Sequence, residues 1–387
     1  MSKAKGSIAD FLMRSVASVE EVVDVRWRRL KDRLGWDGVP RIVPYTGYAN
    51  QTHAWFHGRV LSNPPRGVPA DDDGWWDNLA AMYRRLESDE VPGVDVAIDF
   101  AGGRHVVTSD EEGYFRLQAA RHAGPPHALW AAAALRIVGH PRVSEGESLT
   151  TAKLMTPDPR AAFGVISDID DTVIQTDVVN ILAMARHTFF GSARTRKPLA
   201  GAAGLYRALQ AGPEGAADAG RPRNPVWYVS SSPWNLHDLL EDFLDLNALP
   251  PGPLLLRDLG LGGESHLIGG HGHKLDKTLR IMDAFAAMPF VLIGDSGQED
   301  AALYASAAEQ RPGRVRAIFI RDVDPDLRSH RDDAVGAAAS RADAAGTRLH
   351  LVADSRQAAE IAAAEGLIAA DAVAAIAADA SRDLAAG

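Results

Sequence analysis

Three aspartates, Asp168, Asp170 and Asp171, lie within four positions and directly follow the apolar stretch at residues 163–167. Carboxylates this close repel one another unless a positive charge neutralises them. Magnesium, a hard cation bound by oxygen ligands, meets that need. An extended strand end would project Asp168 and Asp170 to one side, where one can attack phosphorus and the other can transfer a proton. The alternative is an acidic helix start with Asp170 or Asp171 as N-cap.

A serine ends a second apolar stretch, VWYVS at residues 226–230. Ser230 would place a hydroxyl and free backbone N–H groups at the end of a strand, an arrangement that suits phosphate oxygens. The alternative is that this serine only caps the helix that follows.

Two further segments carry candidate charges. HGHKLDKTL at residues 271–279 brings Lys274 and Lys277 into the start of a helix, where a lysine would screen a phosphate and steady an attacking carboxylate. GDSGQED at residues 294–300 follows the apolar stretch FVLIG and offers Asp295 as a metal ligand and Asp300 as a direct or outer ligand. A surface lysine and a capped helix are the respective alternatives.

The order of these four segments is more specific than any one of them. Ligand sites of open α/β sheets lie at the carboxyl ends of the strands. An acidic strand end, a serine strand end, a lysine-bearing helix start and a second acidic strand end are the parts that one phosphatase site needs. The joint pattern therefore favours phosphoester hydrolysis over four unrelated structural features.

The elements that must position these residues are predicted from apolar stretches that alternate with helical segments from residue 160 onward. Such strands are typical of a parallel sheet covered on both faces by helices. The Ala-rich tail at residues 356–387 is predicted to be helical. The five predicted strands are residues 163–167, 226–230, 290–294, 315–320 and 349–353.

The first part of the chain has a different pattern. Residues 41–150 contain short strands separated by glycine and acidic turns, which predicts a β-sandwich, with a helix inserted at residues 71–86. Residues 1–40 contain a predicted leading helix at 7–34 whose end is basic. That end allows peripheral contact with an anionic membrane, although a helix packed on its own protein is the favoured alternative.

Composition excludes several classes of protein. A formal charge of −10 argues against a general nucleic-acid binder. The absence of cysteine excludes disulfides, a thiol nucleophile and cysteine-ligated zinc. Apolar stretches stay well short of the ~20 residues of a membrane helix, and no signal-peptide pattern is present. These features predict a soluble, cytoplasmic protein.

The motifs DIDDTV, YVSSSPW, the His273-Lys274 pair and GDSGQED resemble those of the haloacid-dehalogenase phosphatases. Within that superfamily they are similar to the catalytic domain of the actin-patch-protein type phosphatidate phosphatases, which are related to lipins. The likeness runs from about residue 163 to residue 322. The resemblance implies a Rossmann-like catalytic domain over residues 160–355, with a small cap at about 177–224. Residues 43–61 also resemble the β-domain that precedes this domain in bacterial members.

The resemblance also implies roles. Asp168 would attack the phosphoryl group and form an aspartyl-phosphate, while Asp170 would protonate the leaving alcohol and then activate water. Ser230 and Lys274 would bind phosphoryl oxygens, with Lys277 as an alternative lysine. Thr172 would brace the loop. Magnesium would be held by Asp168, the backbone carbonyl of Asp170, Asp295 and Asp300.

Three functional hypotheses follow. The leading one is a magnesium-dependent phosphomonoester hydrolase, acting on phosphatidate to give diacylglycerol or on a soluble phosphoester. The second is a non-catalytic module that binds phosphatidate or another phospholipid, which the presence of both Asp168 and Asp170 disfavours. The third gives the β-sandwich the main role, as an interaction domain for a partner protein.

Overall fold

The computed structural model describes residues 39–62, 90–122, 128–169, 200–215, 222–257, 272–297, 299–323 and 330–385. The predicted leading helix at 7–34 and the predicted helix at 71–86 lie outside these ranges. No helix within the described ranges combines the length and apolarity that crossing a bilayer requires.

The N-terminal part forms one sheet of eight strands. All pairings in it are antiparallel except that of β2 with β8. Alternate residues of these strands enter one buried cluster that includes Phe56, Ile98, Phe115 and Leu135, as expected for strands with one face on a core. The strands are β1 (Arg41–Pro44), β2 (Gly47–Ala49), β3 (His53–Leu61), β4 (Asp95–Phe100), β5 (Gly103–Thr108), β6 (Tyr114–Ala120), β7 (Trp130–Val138) and β8 (Thr150–Met155).

The second sheet has six strands, all parallel, in the order β11-β10-β9-β12-β13-β14. Its central strands β9 and β12 are buried at every position, which explains their uninterrupted apolar sequences. The strands are β9 (Gly164–Asp168), β10 (Val226–Pro233), β11 (Leu254–Arg257), β12 (Phe290–Asp295), β13 (Val315–Arg321) and β14 (Arg348–Val352).

Helices cover both faces of this parallel sheet, as the sequence predicts. One buried cluster joins the sheet to α1, α2, α6 and α7, and a second joins it to α3, α4 and α5. The helices are α1 (Ala202–Ala211), α2 (His237–Leu246), α3 (Gly272–Ala284), α4 (Asp300–Gln310), α5 (His330–Ala344), α6 (Ser355–Ala364) and α7 (Ala372–Ala385), with a 3₁₀ turn at Trp234–Leu236 before α2.

The strand order places a topological switch point at β9. From β9 the chain proceeds outward on one side through β10 and β11, and it then returns to the other side of β9 with β12. Crevices outside the carboxyl ends of strands at such a point are where open α/β sheets bind ligands. Asp168 is the last residue of β9.

All five strands predicted for the second half are present, each with bounds shifted by no more than a few residues. Four strands were not predicted individually, namely β1, β2, β8 and β11. β8 ends at Met155, beyond the predicted domain boundary at residue 150, and β11 is only four residues long. Within the predicted cap, α1 packs against the sheet through Leu205 and Tyr206. Because residues 177–199 lie outside the described ranges, the cap stays a prediction.

The two sheets meet at a buried aromatic interface. Tyr45, which follows β1, stacks on Trp234 and His237, with ring centroids 5.1 and 4.0 Å apart. Tyr48 of β2 belongs to the buried cluster of the parallel sheet, where it contacts Trp227 and Phe285. The contacts of Tyr45 connect the N-terminal sheet to the segment that follows Ser230.

Candidate active site

Four charged side chains come together at the carboxyl edge of the parallel sheet. Asp168 ends β9 and Asp295 ends β12, while Asp300 begins α4 and Lys274 lies in the first turn of α3. All four side chains are buried. Neighbouring parallel strands bring Asp168 and Asp295 together, although 127 positions separate them in the sequence.

The three carboxylates form a compact group. One oxygen from each of Asp168, Asp295 and Asp300 lies within 4.8 Å of the others. The backbone N–H of Asp295 donates to Asp300 Oδ2 at 3.3 Å, and the N–H of Gly297 donates to Asp295 Oδ1 at 2.6 Å. The turn after β12 therefore holds both of its carboxylates in place with backbone donors.

Lys274 is the lysine in contact with this group. Its Nζ lies 2.8 Å from Asp168 Oδ1 and 3.2 Å from Asp300 Oδ1. Lys277 Nζ instead donates to the carbonyl oxygens of Leu255 and Leu256 in β11, at 3.2 and 2.7 Å. The geometry thus favours Lys274 over Lys277 as the site lysine.

Burial and mutual repulsion govern the electrostatics of the carboxylate group. Removal from water raises the pKa of Asp300 from its usual 3.8 to about 6, with Lys274 opposing the shift and the charge of Asp295 adding to it. Lys274 supplies one positive charge in contact with Asp168 and Asp300. Carboxylates held this close together in a buried site repel one another unless positive charge offsets them.

The donor set fits a divalent cation. Ligands of one ion with metal–oxygen distances of about 2.0–2.6 Å lie no more than roughly 4–5 Å apart, and the Asp168, Asp295 and Asp300 oxygens lie within 4.8 Å of one another. Oxygen-only ligands suit magnesium rather than a soft metal. A 2+ charge would also offset the repulsion among the three carboxylates.

Ser230 lies beside Asp168 on the adjacent strand. Val229 is paired with Asp168 in the β9–β10 register, and Ser230 is the next residue. The serine is fully buried, and its Oγ accepts a hydrogen bond from the N–H of Ser232 at 2.8 Å. The prediction that Ser230 is the last residue of its strand is wrong, because β10 continues three residues further, to Pro233.

Tyrosines beneath the site were not predicted from the sequence. Ser167 Oγ is 2.6 Å from Tyr206 Oη and donates to the carbonyl of Asp168 at 2.6 Å. Tyr304 Oη donates to the carbonyl of Ile293 at 3.1 Å. Burial raises the pKa of both tyrosines, so both hydroxyls stay protonated. A tyrosine in an apolar helical segment gives no sequence signal that distinguishes this support from ordinary core packing.

Some predicted residues lie outside the described ranges. These are Asp170 and Thr172. Their predicted roles are unchanged by the geometry above.

One region of the chain is similar to a known family. Residues 163–322 match the family described as "Phosphatidate phosphatase APP1, catalytic domain". That range contains Asp168, Ser230, Lys274, Asp295 and Asp300. The match confirms the resemblance inferred from the motifs, and the matched segment is similar to a phosphatase catalytic domain.

Two curated relatives match over much the same stretch. Phosphatidate phosphatase APP1 of Saccharomyces cerevisiae is 31% identical over 161 residues, which is 41% of this chain and 26% of that protein. An uncharacterized protein of Schizosaccharomyces pombe is 28% identical over 169 residues, covering 43% of this chain and 26% of that protein. The alignments thus span about a quarter of each relative.

Similarity to solved structures is weak. A carbohydrate acetylesterase from Xanthomonas citri aligns over 79% of this chain and 74% of its own, at 11% identity and a TM-score of 0.24. A β-glucuronidase from Bifidobacterium dentium aligns over 81% of this chain and 60% of its own, at 10% identity and a TM-score of 0.23. Neither carries an argument about fold or function.

Proposed function

We propose that this protein is a magnesium-dependent phosphomonoester hydrolase that acts through an aspartyl-phosphate intermediate. The observation that carries the proposal is the buried group of Asp168, Asp295 and Asp300 with Lys274 against two of them. Its position at the switch point of a parallel sheet and the family match over residues 163–322 support the same conclusion.

Asp168 is the proposed nucleophile. Its carboxylate attacks the phosphorus atom, the bond from phosphorus to the ester oxygen breaks, and the phosphoryl group is transferred to Asp168. Asp170 donates a proton to the departing alkoxide and then accepts one from the water that hydrolyses the aspartyl-phosphate. The products are an alcohol and inorganic phosphate.

The other residues neutralise and orient charge. Lys274 holds Asp168 by its ion pair and screens the phosphoryl oxygens, while the Ser230 hydroxyl donates to one of them. Asp168, Asp295 and Asp300, with the backbone carbonyl of Asp170, would hold magnesium, which when bound offsets the negative charge that the carboxylates and the phosphoryl group bring together. Thr172 braces the nucleophile loop.

We extend the proposal to architecture and location. The parallel sheet is proposed to be a haloacid-dehalogenase type domain with a small cap at about residues 177–224, and the N-terminal sheet a β-sandwich. A cytoplasmic location with peripheral membrane contact through the basic end of residues 7–34 also stays a proposal, as does the absence of nucleic-acid partners.

The substrate is proposed from the relatives. The yeast relative is named a phosphatidate phosphatase, so phosphatidate is the first candidate, with diacylglycerol as product. A soluble phosphoester is the alternative within the same chemistry, because a shared fold does not determine the substrate. A non-catalytic phospholipid-binding module is the alternative of a different class.

The test is phosphate release from para-nitrophenyl phosphate by the purified full-length chain. We expect turnover with magnesium, its loss on chelation with EDTA, and its recovery when magnesium is restored. Asp168→Asn should remove nearly all turnover because the amide cannot serve as the nucleophile. Screening phosphatidate, lysophosphatidate, nucleotides and sugar phosphates would then identify the substrate.

A second measurement separates hydrolase from binding module. Magnesium should raise the thermal unfolding midpoint of the wild type through binding to the folded state, and Asp295→Asn should reduce that rise. If the folded, metal-stabilised protein released phosphate from no phosphoester, the hydrolase proposal would be wrong and the binding module would be favoured.

A further inference from the structure

A chain of two buried hydroxyl groups connects helix α1 to the backbone of the candidate nucleophile. Tyr206 Oη lies 2.6 Å from Ser167 Oγ, and Ser167 Oγ lies 2.6 Å from the carbonyl oxygen of Asp168. Both Tyr206 and Ser167 are almost completely buried. Neither residue is among the proposed phosphate or magnesium ligands, so the reaction proposed above does not account for this arrangement.

The direction of the two hydrogen bonds follows from the protons available. A carbonyl oxygen can only accept a hydrogen bond, so Ser167 donates its single hydroxyl proton to Asp168. Ser167 Oγ is therefore the acceptor toward Tyr206, and the Tyr206 hydroxyl is the donor. Consecutive hydrogen bonds of this kind polarise and strengthen one another in a buried site. Tyr206 thereby keeps the serine proton directed at the Asp168 carbonyl.

The two hydroxyls hold the peptide group between Asp168 and Ile169. The N–H of that peptide group belongs to Ile169 and donates to the carbonyl of Val229 at 3.3 Å, which is a long hydrogen bond. On the other side of β9, the pairing with β12 ends at Ser167 and Ile293, one residue before Asp168. The short bond from Ser167 thus fixes the carbonyl side of a peptide group whose N–H side is held weakly.

Tyr206 is itself held by packing against the neighbouring strand. Its ring stacks on that of Tyr228, with ring centroids 6.3 Å apart and ring planes 15° apart. Tyr228 is the residue of β10 that pairs with Ser167. Its own hydroxyl donates to the carbonyl of Pro250, in the loop between α2 and β11, at 2.8 Å. Two buried tyrosines therefore lie side by side with their hydroxyls directed at different partners.

We propose that Tyr206 and Ser167 are positioning residues that orient Asp168 for attack on phosphorus. The inference rests on the proposed phosphoester hydrolysis and assigns two further residues to it. The Cα of Asp168 is bonded to the peptide group that the hydroxyls hold, so a shift of that group moves the carboxylate. A misplacement of about 1 Å at a reacting group can lower a rate about a hundredfold. The hydroxyls act on the nucleophile rather than on Ser230 and Lys274, so their loss lowers kcat and leaves KM nearly unchanged.

The kinetic test uses Tyr206→Phe, which removes the hydroxyl and keeps the ring. With para-nitrophenyl phosphate and magnesium we expect kcat to fall about tenfold or more and KM to change less than about twofold. Tyr228→Phe is the matched control, because it removes the hydroxyl of an equally buried tyrosine that donates to Pro250. The control should keep kcat within about twofold of the wild type, although it loses stability.

Ser167 variants test whether Tyr206 acts through the serine. Ser167→Ala should lower kcat at least as much as Tyr206→Phe does, and Ser167→Thr, which retains a hydroxyl, should recover most of that loss. Adding Tyr206→Phe to Ser167→Ala should lower kcat by less than about a further twofold, because residues that act in one chain are not additive. Fully additive losses in the double variant would overturn the inference.

A measurement without substrate separates this inference from the proposed function. Hydrogen exchange of the Ile169 amide, followed by NMR, should accelerate about tenfold or more in Tyr206→Phe relative to the amides of Val165 and Ile166 in the same strand, because the end of the strand opens locally. Tyr228→Phe should not show this change. Unchanged exchange at Ile169, or an equal loss of kcat in the two tyrosine variants, would overturn the inference. If the wild type hydrolysed no phosphoester, the proposed function would fail, while exchange at Ile169 would still decide whether the hydroxyls hold this peptide group.

Discussion

At the scale of single residues, the site depends on one buried ammonium group between carboxylates. Lys274 Nζ contacts both Asp168 and Asp300, and all three side chains are almost completely buried. Removing one partner of a buried ion pair strands the remaining charges and costs about 3–5 kcal/mol. Lys277, one turn further along α3, instead ties the helix to β11 through two carbonyls.

This difference predicts unequal effects of the same substitution at two neighbouring lysines. Lys274→Met should lower kcat on para-nitrophenyl phosphate at least about a hundredfold, because a donor aimed at the reacting charge is lost. Lys277→Met should retain most of that kcat and lose stability, because its hydrogen bonds join α3 to β11. Steady-state kinetics and thermal unfolding of both variants check this, and a larger kcat loss in Lys277→Met would show that the lysines had been assigned in the wrong order.

At the scale of elements, the turn from β12 into α4 is packed too closely for a side chain at Gly294. A Cβ there would lie 2.6 Å from Asp300 Cβ and 2.7 Å from Asp300 Oδ2. Tyr304, one turn along α4, would also lie within 2.9 Å of it. The glycine thus lets the end of the strand approach the start of the helix so that both carboxylates reach one point.

We therefore expect Gly294→Ala to displace Asp300 and to lower activity at least tenfold, together with a weaker magnesium-induced rise in the unfolding midpoint. The control is Gly336→Ala, on an exposed face of α5 where a Cβ meets nothing within 4 Å. That change should leave activity intact and stabilise the helix by about 0.5–1 kcal/mol. Wild-type activity in Gly294→Ala would contradict this prediction, because it would mean that the turn accommodates the added methyl group without displacing Asp300.

At the scale of the whole molecule, the N-terminal sheet is built into the fold of the catalytic sheet. Thr46 Oγ1 donates to Glu241 Oε1 at 3.0 Å, and Asn50 Nδ2 donates to the carbonyl of Ala284 at 2.6 Å. Tyr48 completes a buried cluster with Trp227 and Phe285. Large apolar surfaces of this kind are not left exposed in stable soluble domains.

Residues 160–387 expressed alone should therefore be aggregation-prone or much less stable than the full chain. Size-exclusion chromatography and thermal unfolding of the two proteins, purified in parallel, provide the measurement. A monodisperse fragment with the unfolding midpoint and activity of the full chain would contradict this, and it would instead support the hypothesis that the N-terminal sheet serves mainly to bind a partner.

The same interface contains a buried histidine that should make stability depend on pH. Burial holds the pKa of His57 well below its usual 6.5, and the nearby Arg116, His237 and Lys277 act in the same direction. Its Nε2 is buried without a hydrogen-bond partner among the described residues. Tyr45, Tyr114 and Trp234 pack around the ring.

The sign follows from proton binding. Below about pH 6.5 the unfolded chain protonates His57 and the folded chain does not, so the unfolded state binds more protons. Above that pH, the proton equilibrium of His57 does not lower the free energy of unfolding. As the pH falls from there toward the depressed folded pKa, His57 lowers the free energy of unfolding by at most about 1.4 kcal/mol per pH unit. Denaturant unfolding from pH 7.5 to 5 should show a shallower decline in His57→Phe than in the wild type. If the free energy of unfolding declined equally with pH in the two proteins, the prediction would be wrong.

Local patterns in the sequence predicted the catalytic half of the molecule well. Continuous apolar stretches ending in Asp168, Ser230 and Asp295 were sufficient to place strands, because a strand buried on both faces leaves few positions for polar side chains. The motif order predicted that these ends would meet. Strand β11 and strand β8, the last of the N-terminal sheet, contain too few residues for a repeating pattern of apolar side chains to be recognised in the sequence.

What the sequence by itself determined is therefore the identity of the chemical groups and the alternation of elements that carries them. Only the tertiary structure decided which lysine reaches the carboxylates and that Tyr206 supports the strand below Asp168. Lys274 and Lys277 lie on neighbouring positions of one helix, so their local patterns are nearly equivalent. Contacts between residues distant along the chain depend on how whole helices and strands pack together. The spacing of apolar residues within a single helix or strand does not contain that information.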